Sequence, residues 1–280
     1  MKLFAKKSLG QHFLNSKHVL DQIVIAGNIQ KNQNILEIGP GTGVLTGELI
    51  KAGAIVTAVE KDDRAYELLK EKFSNEIAGG ALRLIHGDIL EEFSIFNFQY
   101  SIVANIPYYI TGAILEKFLE HSPRPDKMVL LVQKEVADRI VARPEQSTHK
   151  SKESILSISV KAFGSPKIIA KVPPGAFTPP PTVDSAILSI ENISDKNFTE
   201  QLAKRHDAIE LFFKIVKAGF AHKRKILKNN LESVLPKETI DSLWNRLNLD
   251  SKVRAEDLST NDWIKINKLL CLSTEYSHLL

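Results

Sequence analysis

The sequence predicts an α/β chain: a Rossmann-like sheet followed by a small helical C-terminal domain. Three observations carry this prediction. Short apolar runs bounded by turn residues recur between residues 33 and 104 and read as buried strands. The first of them enters a glycine-rich turn, Gly39-Pro40-Gly41-Thr42-Gly43, that opens a helix. Beyond about residue 193 the apolar spacing turns helical. With 280 residues and 43% hydrophobic side chains, the chain can bury one full α/β core and still supply an appended domain. No internal repeat is present.

The chain begins with a basic arm: residues 1–18 hold Lys2, Lys6, Lys7 and Lys17 without an acid, which suits phosphates. The start, Met1 to Lys7, has no apolar core of signal-peptide length, and no apolar run reaches membrane-spanning length. A cytoplasmic location without a membrane partner is therefore expected.

Residues Gln33 to Ile38 form the first predicted strand, and Val44 to Ile50 the helix after the glycine turn. Gly39 and Gly41 let backbone approach a ligand closely. The next strand, Ala54 to Val59, ends in Glu60, a carboxylate placed to accept from two ribose hydroxyls. Val44 stands where a dinucleotide fingerprint wants its third glycine, which weakens the cradle for a pyrophosphate. An adenosine ligand without phosphates fits better. S-adenosylmethionine is such a ligand, and Glu37 is placed to face its cationic end. A third strand, Ala81 to His86, runs into Gly87-Asp88-Ile89, where Asp88 can accept from the adenine amino group and Ile89 can pack on the ring. A fourth, Ser101 to Ala104, delivers Asn105. Polar residues at four successive strand ends match ligand binding along the carboxyl edge of a parallel sheet.

The segment Asn105-Ile106-Pro107-Tyr108 carries the chemistry. The N6 lone pair of adenine is delocalised into its ring, so the amino group is a poor nucleophile until acceptors hold its hydrogens out of the ring plane. Asn105 offers a carboxamide oxygen and Ile106 a backbone carbonyl. Pro107 stiffens the turn, and Tyr108 offers a flat face against which an extruded base can stack. Acceptors plus a platform make a base pocket, which points to methyl transfer onto a nucleobase amino group.

Half of the twelve prolines lie between Pro166 and Pro181 and mark the predicted domain boundary, although Phe177 within this stretch makes it more than a linker. After it, Asp184 to Ile190 alternates as a last strand, expected to pair antiparallel near one sheet edge. The expected division is a catalytic domain over residues 1–192, with the basic arm, and a small helical RNA- or ribosome-binding domain over residues 193–280. In the second part Thr239 to Leu247 and Asp257 to Ile264 read as short amphipathic helices, with Trp244 and Trp263 in their core. The stretch from Lys214 to Lys228 includes Lys217, Lys223, Arg224 and Lys225 and no acid. Phe212, Phe213, Ile215, Val216, Phe220, Ile226 and Leu227 recur through it at near-helical spacing, so a helix with one packed face and one basic face toward RNA backbone is expected.

Composition excludes several alternatives. The single Cys271 forbids an intramolecular disulfide and a four-thiolate zinc site, and the eight histidines show no paired ligand spacing, so no metal is expected. Net charge is only +4 and decides nothing by itself.

These segments together resemble the small-subunit ribosomal RNA adenine-N6 dimethyltransferases, the KsgA type, over nearly the whole chain. Besides Gly39 to Gly43, Glu60, Gly87-Asp88 and Asn105 to Tyr108, the matching blocks are Lys7 to Asn15, Gln133 to Arg139, Phe177 to Ala186 and Phe220 to Leu231. The resemblance implies a methyltransferase sheet that binds S-adenosylmethionine, with His12, Leu14, Gly39, Gly41, Glu60, Asp88 and Asn105 at the cofactor. It implies that Asn105 and Tyr108 act on the target base, with Phe177 holding the flipped adenine opposite Tyr108. It further implies a monomer that dimethylates N6 of two adjacent adenosines in the 3′-terminal hairpin of small-subunit ribosomal RNA, in an immature 30S-type subunit, coupled to subunit biogenesis. Two departures stand out: Tyr109 where many members have Asn, and a 144–160 segment that lacks the family's Tyr-Gly pair. Two other classes share parts of this pattern. A large-subunit methyltransferase of the macrolide-resistance type shares the cofactor turn and the Asn105 motif, whereas Gln133 to Arg139, Val183 to Ala186 and Lys223 to Leu231 look like the small-subunit type. A nucleic-acid-binding factor on the same fold would not need Asn105, Tyr108 and Phe177 together.

Overall fold

The structure, a computed structural model, describes residues 6, 10–91, 98–142, 152–199 and 207–272. Lys2 and Lys7 of the basic arm and residues 144–151 of the altered segment lie outside these residues.

The strands are β1 (Phe13–Leu14), β2 (Asn34–Ile38), β3 (Ile55–Glu60), β4 (Leu82–His86), β5 (Ser101–Asn105), β6 (Met128–Gln133), β7 (Ser165–Val172), β8 (Phe177–Thr178) and β9 (Ser185–Glu191). Seven join in one sheet of order β4-β3-β2-β5-β6-β9-β7, parallel from β4 to β6 and antiparallel at β9 and β7. A sheet covered on both faces needs continuous apolar strands rather than alternating ones. Met128 to Val132 on β6 and Val56, Ala58 and Val59 on β3 meet that demand, all fully or nearly fully buried. The anticipated last strand is β9, and it lies one strand in from the edge.

Helices flank these strands: α1 (Lys17–Gly27), α2 (Val44–Lys51), α3 (Asp63–Lys72), α4 (Ser74–Ala78), α5 (Thr111–Glu120) and α6 (Lys134–Val141). Ser16 caps α1 and Asp62 caps α3, each accepting from a backbone N–H of the first turn. Leu20 and Ile23 of α1, Leu45 and Leu49 of α2, and Leu69 of α3 pack with β2, β3 and β5 residues into one core.

The proline-rich stretch requires a correction. Its first half is not a boundary but the edge strand β7, hydrogen-bonded to β9. Pro166 is tolerated there because an edge strand has N–H groups to spare, and the outward Lys167 and Lys171 pair with Glu191 and Asp184. The remainder includes β8, which pairs with β1 in a two-stranded sheet that the sequence reading did not anticipate.

The chain divides into two compact units, Met1–Asp138 with Ser165–Ile193, and Arg139–Gly164 with Ser194–Leu280. Residues 139–164 thus leave the expected catalytic segment. The reason is α7 (Ile155–Phe163), whose buried Ile158, Val160 and Phe163 join the second unit's core. That unit continues with α8 (Lys196–Thr199), α9 (Ala208–Gly219), α10 (Leu227–Leu231), α11 (Lys237–Leu247) and α12 (Thr260–Leu272). Phe163 packs on Phe198 and Phe213 with ring centroids 5.0 and 6.0 Å apart, and Phe212 meets both Phe198 and Phe213 edge-on. Trp244 and Trp263 are both buried, as expected of core residues.

The basic stretch also differs from expectation. Lys217 lies on α9 and Lys228 on α10, but Lys223, Arg224 and Lys225 occupy an exposed turn between the two helices. The buried Asn230 shapes it, donating from Nδ2 to the Gly219 carbonyl at 2.6 Å and the His222 carbonyl at 3.1 Å. The periodicity of the flanking apolar residues concealed this turn. Among the described residues no helix is long and apolar enough to cross a membrane.

Candidate active site

A cleft runs along the carboxyl ends of the parallel strands, lined by residues 10–14, the Glu37–Leu45 turn, Glu60–Asp62, Gly87–Leu90 and Asn105–Ile110. Eight of the nine site residues named from sequence have a side chain or backbone on this cleft; Phe177 does not.

The glycine turn is held in place from the neighbouring strand. Gly41 has φ +58°, and a Cβ there would lie 3.1 Å from the Phe13 ring, so only glycine combines this conformation with this contact. Its N–H donates to Glu60 Oε2 at 2.9 Å, while Glu60 Oε1 accepts from the Asp62 N–H at 2.8 Å. Glu60 is therefore a brace as well as a candidate ribose acceptor, and a carboxylate's four lone-pair sites allow both. Burial raises its carboxyl above the ordinary range, against the pull of the two backbone donors.

The sequence reading missed the group that fastens the N-terminal segment. Asp62 accepts from Arg64 Nη2 at 2.6 Å, from Arg64 Nε at 3.1 Å and from Gln11 Nε2 at 3.0 Å. The Arg64 guanidinium, with Gln11, draws the Asp62 carboxyl down to about 2 despite burial. The available signal was Asp62 as the cap of α3; nothing local to Gln11 announced its partner 51 residues away.

Asp88 accepts from Lys61 Nζ at 2.6 Å and from the Leu90 N–H at 2.9 Å. Burial works to raise its carboxyl, but these donors outweigh it and leave the group below the usual carboxylate range. Glu37 behaves in the opposite way. Burial pushes it up to about 8, Glu60 adds to the rise, and Thr46 and Lys72 oppose it only in part. Among the described residues its Oε2 has no hydrogen-bond partner.

On the base side, Asn105 donates from Nδ2 to the His12 carbonyl at 3.2 Å, which orients the carboxamide, with Oδ1 as its acceptor. His12 is fixed in turn by a hydrogen bond between Nδ1 and the Pro179 carbonyl at 2.8 Å. The Tyr108 hydroxyl and Ser185 Oγ share a hydrogen bond of 2.5 Å, and the Tyr108 ring stacks on His12 at 5.9 Å. Phe177 is buried, paired through β8 with Leu14 of β1, and packs in the main core. In the ligand-free site the ring stacked on Tyr108 is His12, and Phe177 supports the strand carrying Leu14.

These residues fit S-adenosylmethionine. Four acidic residues, Glu37, Glu60, Asp62 and Asp88, and no unpaired cation among the described lining residues suit a cationic adenosine derivative without phosphates. The unpartnered buried oxygen of Glu37 is the kind of atom a ligand cation satisfies.

The chain matches the family model for ribosomal RNA adenine dimethylase over residues 3–271. It is 42% identical over 277 residues to a ribosomal RNA small subunit methyltransferase A of Dehalococcoides mccartyi, covering 96% of this chain and 88% of that protein. To the protein of the same name from a Nostoc species it is 38% identical, covering 95% and 97%. Among solved structures it is similar to a dimethyladenosine transferase from Plasmodium falciparum, at TM-score 0.75 and 26% identity over 91% of this chain and 96% of that one. The 23S rRNA methyltransferase ErmE shares the fold, at TM-score 0.69 and 22% identity over 91% and 98%. A cleft that combines an adenosine cradle with the Asn105–Tyr108 turn, in a chain matched along nearly its whole length, belongs to the ribosomal RNA adenine dimethylase family.

Proposed function

We propose that this chain dimethylates N6 of two adjacent adenosines in the 3′-terminal hairpin of small-subunit ribosomal RNA, acting as a cytoplasmic monomer on an immature subunit. The single observation that carries the reading is Asn105: the bond from Nδ2 to the His12 carbonyl orients the carboxamide, and its oxygen is the atom able to accept from an adenine amino group. Bound S-adenosylmethionine supplies an electrophilic methyl group and its own leaving group. The protein's share is binding and orientation.

Glu60 and Asp88 would hold the adenosine of the cofactor, with Gly39, Gly41, His12 and Leu14 enclosing it. Asn105 Oδ1 and the Ile106 carbonyl would accept from N6 and turn its lone pair toward the methyl group. Tyr108, anchored by Ser185, would give the extruded adenine a face to stack on. An aminium formed by methyl transfer is acidic, so no strong base is needed before attack, in keeping with a motif that has no histidine or carboxylate pair. The exposed turn Lys223-Arg224-Lys225 and the basic arm would meet phosphates, which predicts strongly salt-dependent binding.

The test is incubation of the chain with radiolabelled S-adenosylmethionine and unmethylated small subunits, large subunits or naked RNA, followed by nucleoside analysis. Dimethyladenosine from small subunits alone is the expected result. Label in large-subunit RNA would assign the other substrate, and cofactor binding without any label would leave a nucleic-acid-binding factor. A role in biogenesis would appear as accumulated small subunits when an inactive Asn105 variant is expressed.

A further inference from the structure

Tyr108 and Tyr109 are adjacent in sequence and opposite in fate. Both lie in a 3₁₀ turn, Tyr108–Ile110, where consecutive side chains point about 120° apart. Tyr108 turns inward to Ser185, while Tyr109 is 66% exposed at the rim of the same cleft. The turn beneath it is fixed by the Ile110 N–H donating to the Pro107 carbonyl at 3.2 Å and by Thr111 Oγ1 donating to the Tyr108 carbonyl at 3.0 Å. From below, the ring rests against the backbone of Gly10, where a Cβ would come within 3.3 Å of Cδ1. An aromatic ring carried on a hydrogen-bonded turn, next to Gly10 on one side and otherwise open, meets the requirements of a stacking platform, at small entropic cost because Tyr has only two χ angles.

We infer that Tyr109 is a second base-binding subsite: it stacks the nucleotide next to the flipped adenosine while Tyr108 serves the target base. This rests on the proposed function, since it requires an RNA strand entering this cleft. The ligand is an unpaired nucleotide of single-stranded RNA, recognised by its π-face and hence with little base preference. For a substrate with two adjacent target adenosines, the platform would hold one while the other is in the pocket.

The experiment is steady-state methylation of unmethylated small subunits by the full chain, with subunit and cofactor concentrations varied separately, for wild type, Tyr109→Ala and Tyr109→Phe. Loss of one base–aromatic stack is expected to raise the KM for subunits about tenfold in Tyr109→Ala, with the dissociation constant for S-adenosylmethionine unchanged. Tyr109→Phe should restore the wild-type KM. An unchanged subunit KM in Tyr109→Ala overturns the subsite, and so does a loss confined to cofactor affinity, which would make the ring a cover for the cofactor. Equilibrium binding of subunits by the same three proteins needs no turnover and separates this inference from its parent. A wild type that binds through Tyr109 yet transfers no methyl group defeats the proposed activity and keeps the subsite.

Discussion

The two walls of the cleft are built differently. On the cofactor side, Glu60 is tied to the backbone of Gly41 and Asp62, and Asp62 to Arg64 and Gln11, so each polar group is positioned by another that is itself buried or paired. On the base side the polar contacts are fewer: Asn105 to the His12 carbonyl, Tyr108 to Ser185, and an exposed Tyr109. A small ligand of constant shape rewards preorganisation, because fixed dipoles need no reordering when it binds. A nucleotide that must be extruded from a larger RNA needs an open mouth, and the ordering then falls on complex formation. The contrast predicts that damage to the base side reduces turnover or RNA affinity and spares cofactor affinity, while damage to the cofactor side reduces cofactor affinity.

The largest expected effect tests the base side. Asn105→Ala removes the acceptor for N6 and should lower the methylation rate by about 10²–10³-fold, the range for losing one preorganised group at a reacting centre. Affinity for S-adenosylhomocysteine, read by calorimetry, should change far less. A near wild-type rate would remove Asn105 from the chemistry, and a parallel collapse of cofactor affinity would erase the distinction between the walls.

Glu60→Ala is the matching lesion on the cofactor side. It deletes both the brace of the glycine turn and the candidate ribose acceptor. Losing charge-assisted hydrogen bonds of this kind costs about 1.5–3 kcal/mol, so affinity for S-adenosylhomocysteine should fall roughly 10- to 150-fold. The rate at saturating cofactor should fall less than in Asn105→Ala. If Glu60→Ala instead abolishes turnover and spares affinity, the comparison is reversed.

The same contrast explains what could be read from the chain in advance. Strand ends facing a shared ligand are legible because each polar residue follows an apolar run, as Glu60, Asp88 and Asn105 do. The edge strand β7 was hidden by Pro166 and its lysines, which mark an edge only once the neighbouring strand is known. The turn holding Lys223 to Lys225 was hidden because apolar spacing continued on both sides of it, and Asn230, seven residues past Lys223, helps fix the break. Phe177 was placed opposite Tyr108 by resemblance; its burial against β1 depends on a pairing between segments more than 160 residues apart. Contacts that close over such separations leave little local trace.

The smallest expected effect concerns charge, and its sign follows from Glu37. With its carboxyl raised to about 8, mainly by burial, Glu37 is protonated at neutral pH in the ligand-free protein, with Glu60 and Lys72 as the charged groups that also act on it. A sulfonium cation beside it favours the ionised form, so binding S-adenosylmethionine must expel a proton below that pH. Affinity for S-adenosylmethionine should therefore climb as pH rises toward 8, by at most about tenfold per unit, and level off above it. S-adenosylhomocysteine has lost the sulfonium charge and should show no such slope. Glu37→Gln should flatten the first curve onto the second. It should also stabilise the free protein at pH 8, because a buried carboxyl with a raised folded-state value contributes stability that is complete below its unfolded value near 4.5 and is lost as pH rises through about 8. Thermal melts of both proteins across pH 5–9 would check the second part, and equal slopes for the two ligands would show that Glu37 does not face the sulfonium. If the slopes differ as expected, the most preorganised wall of the cleft contains one adjustable charge, and that charge distinguishes substrate from product.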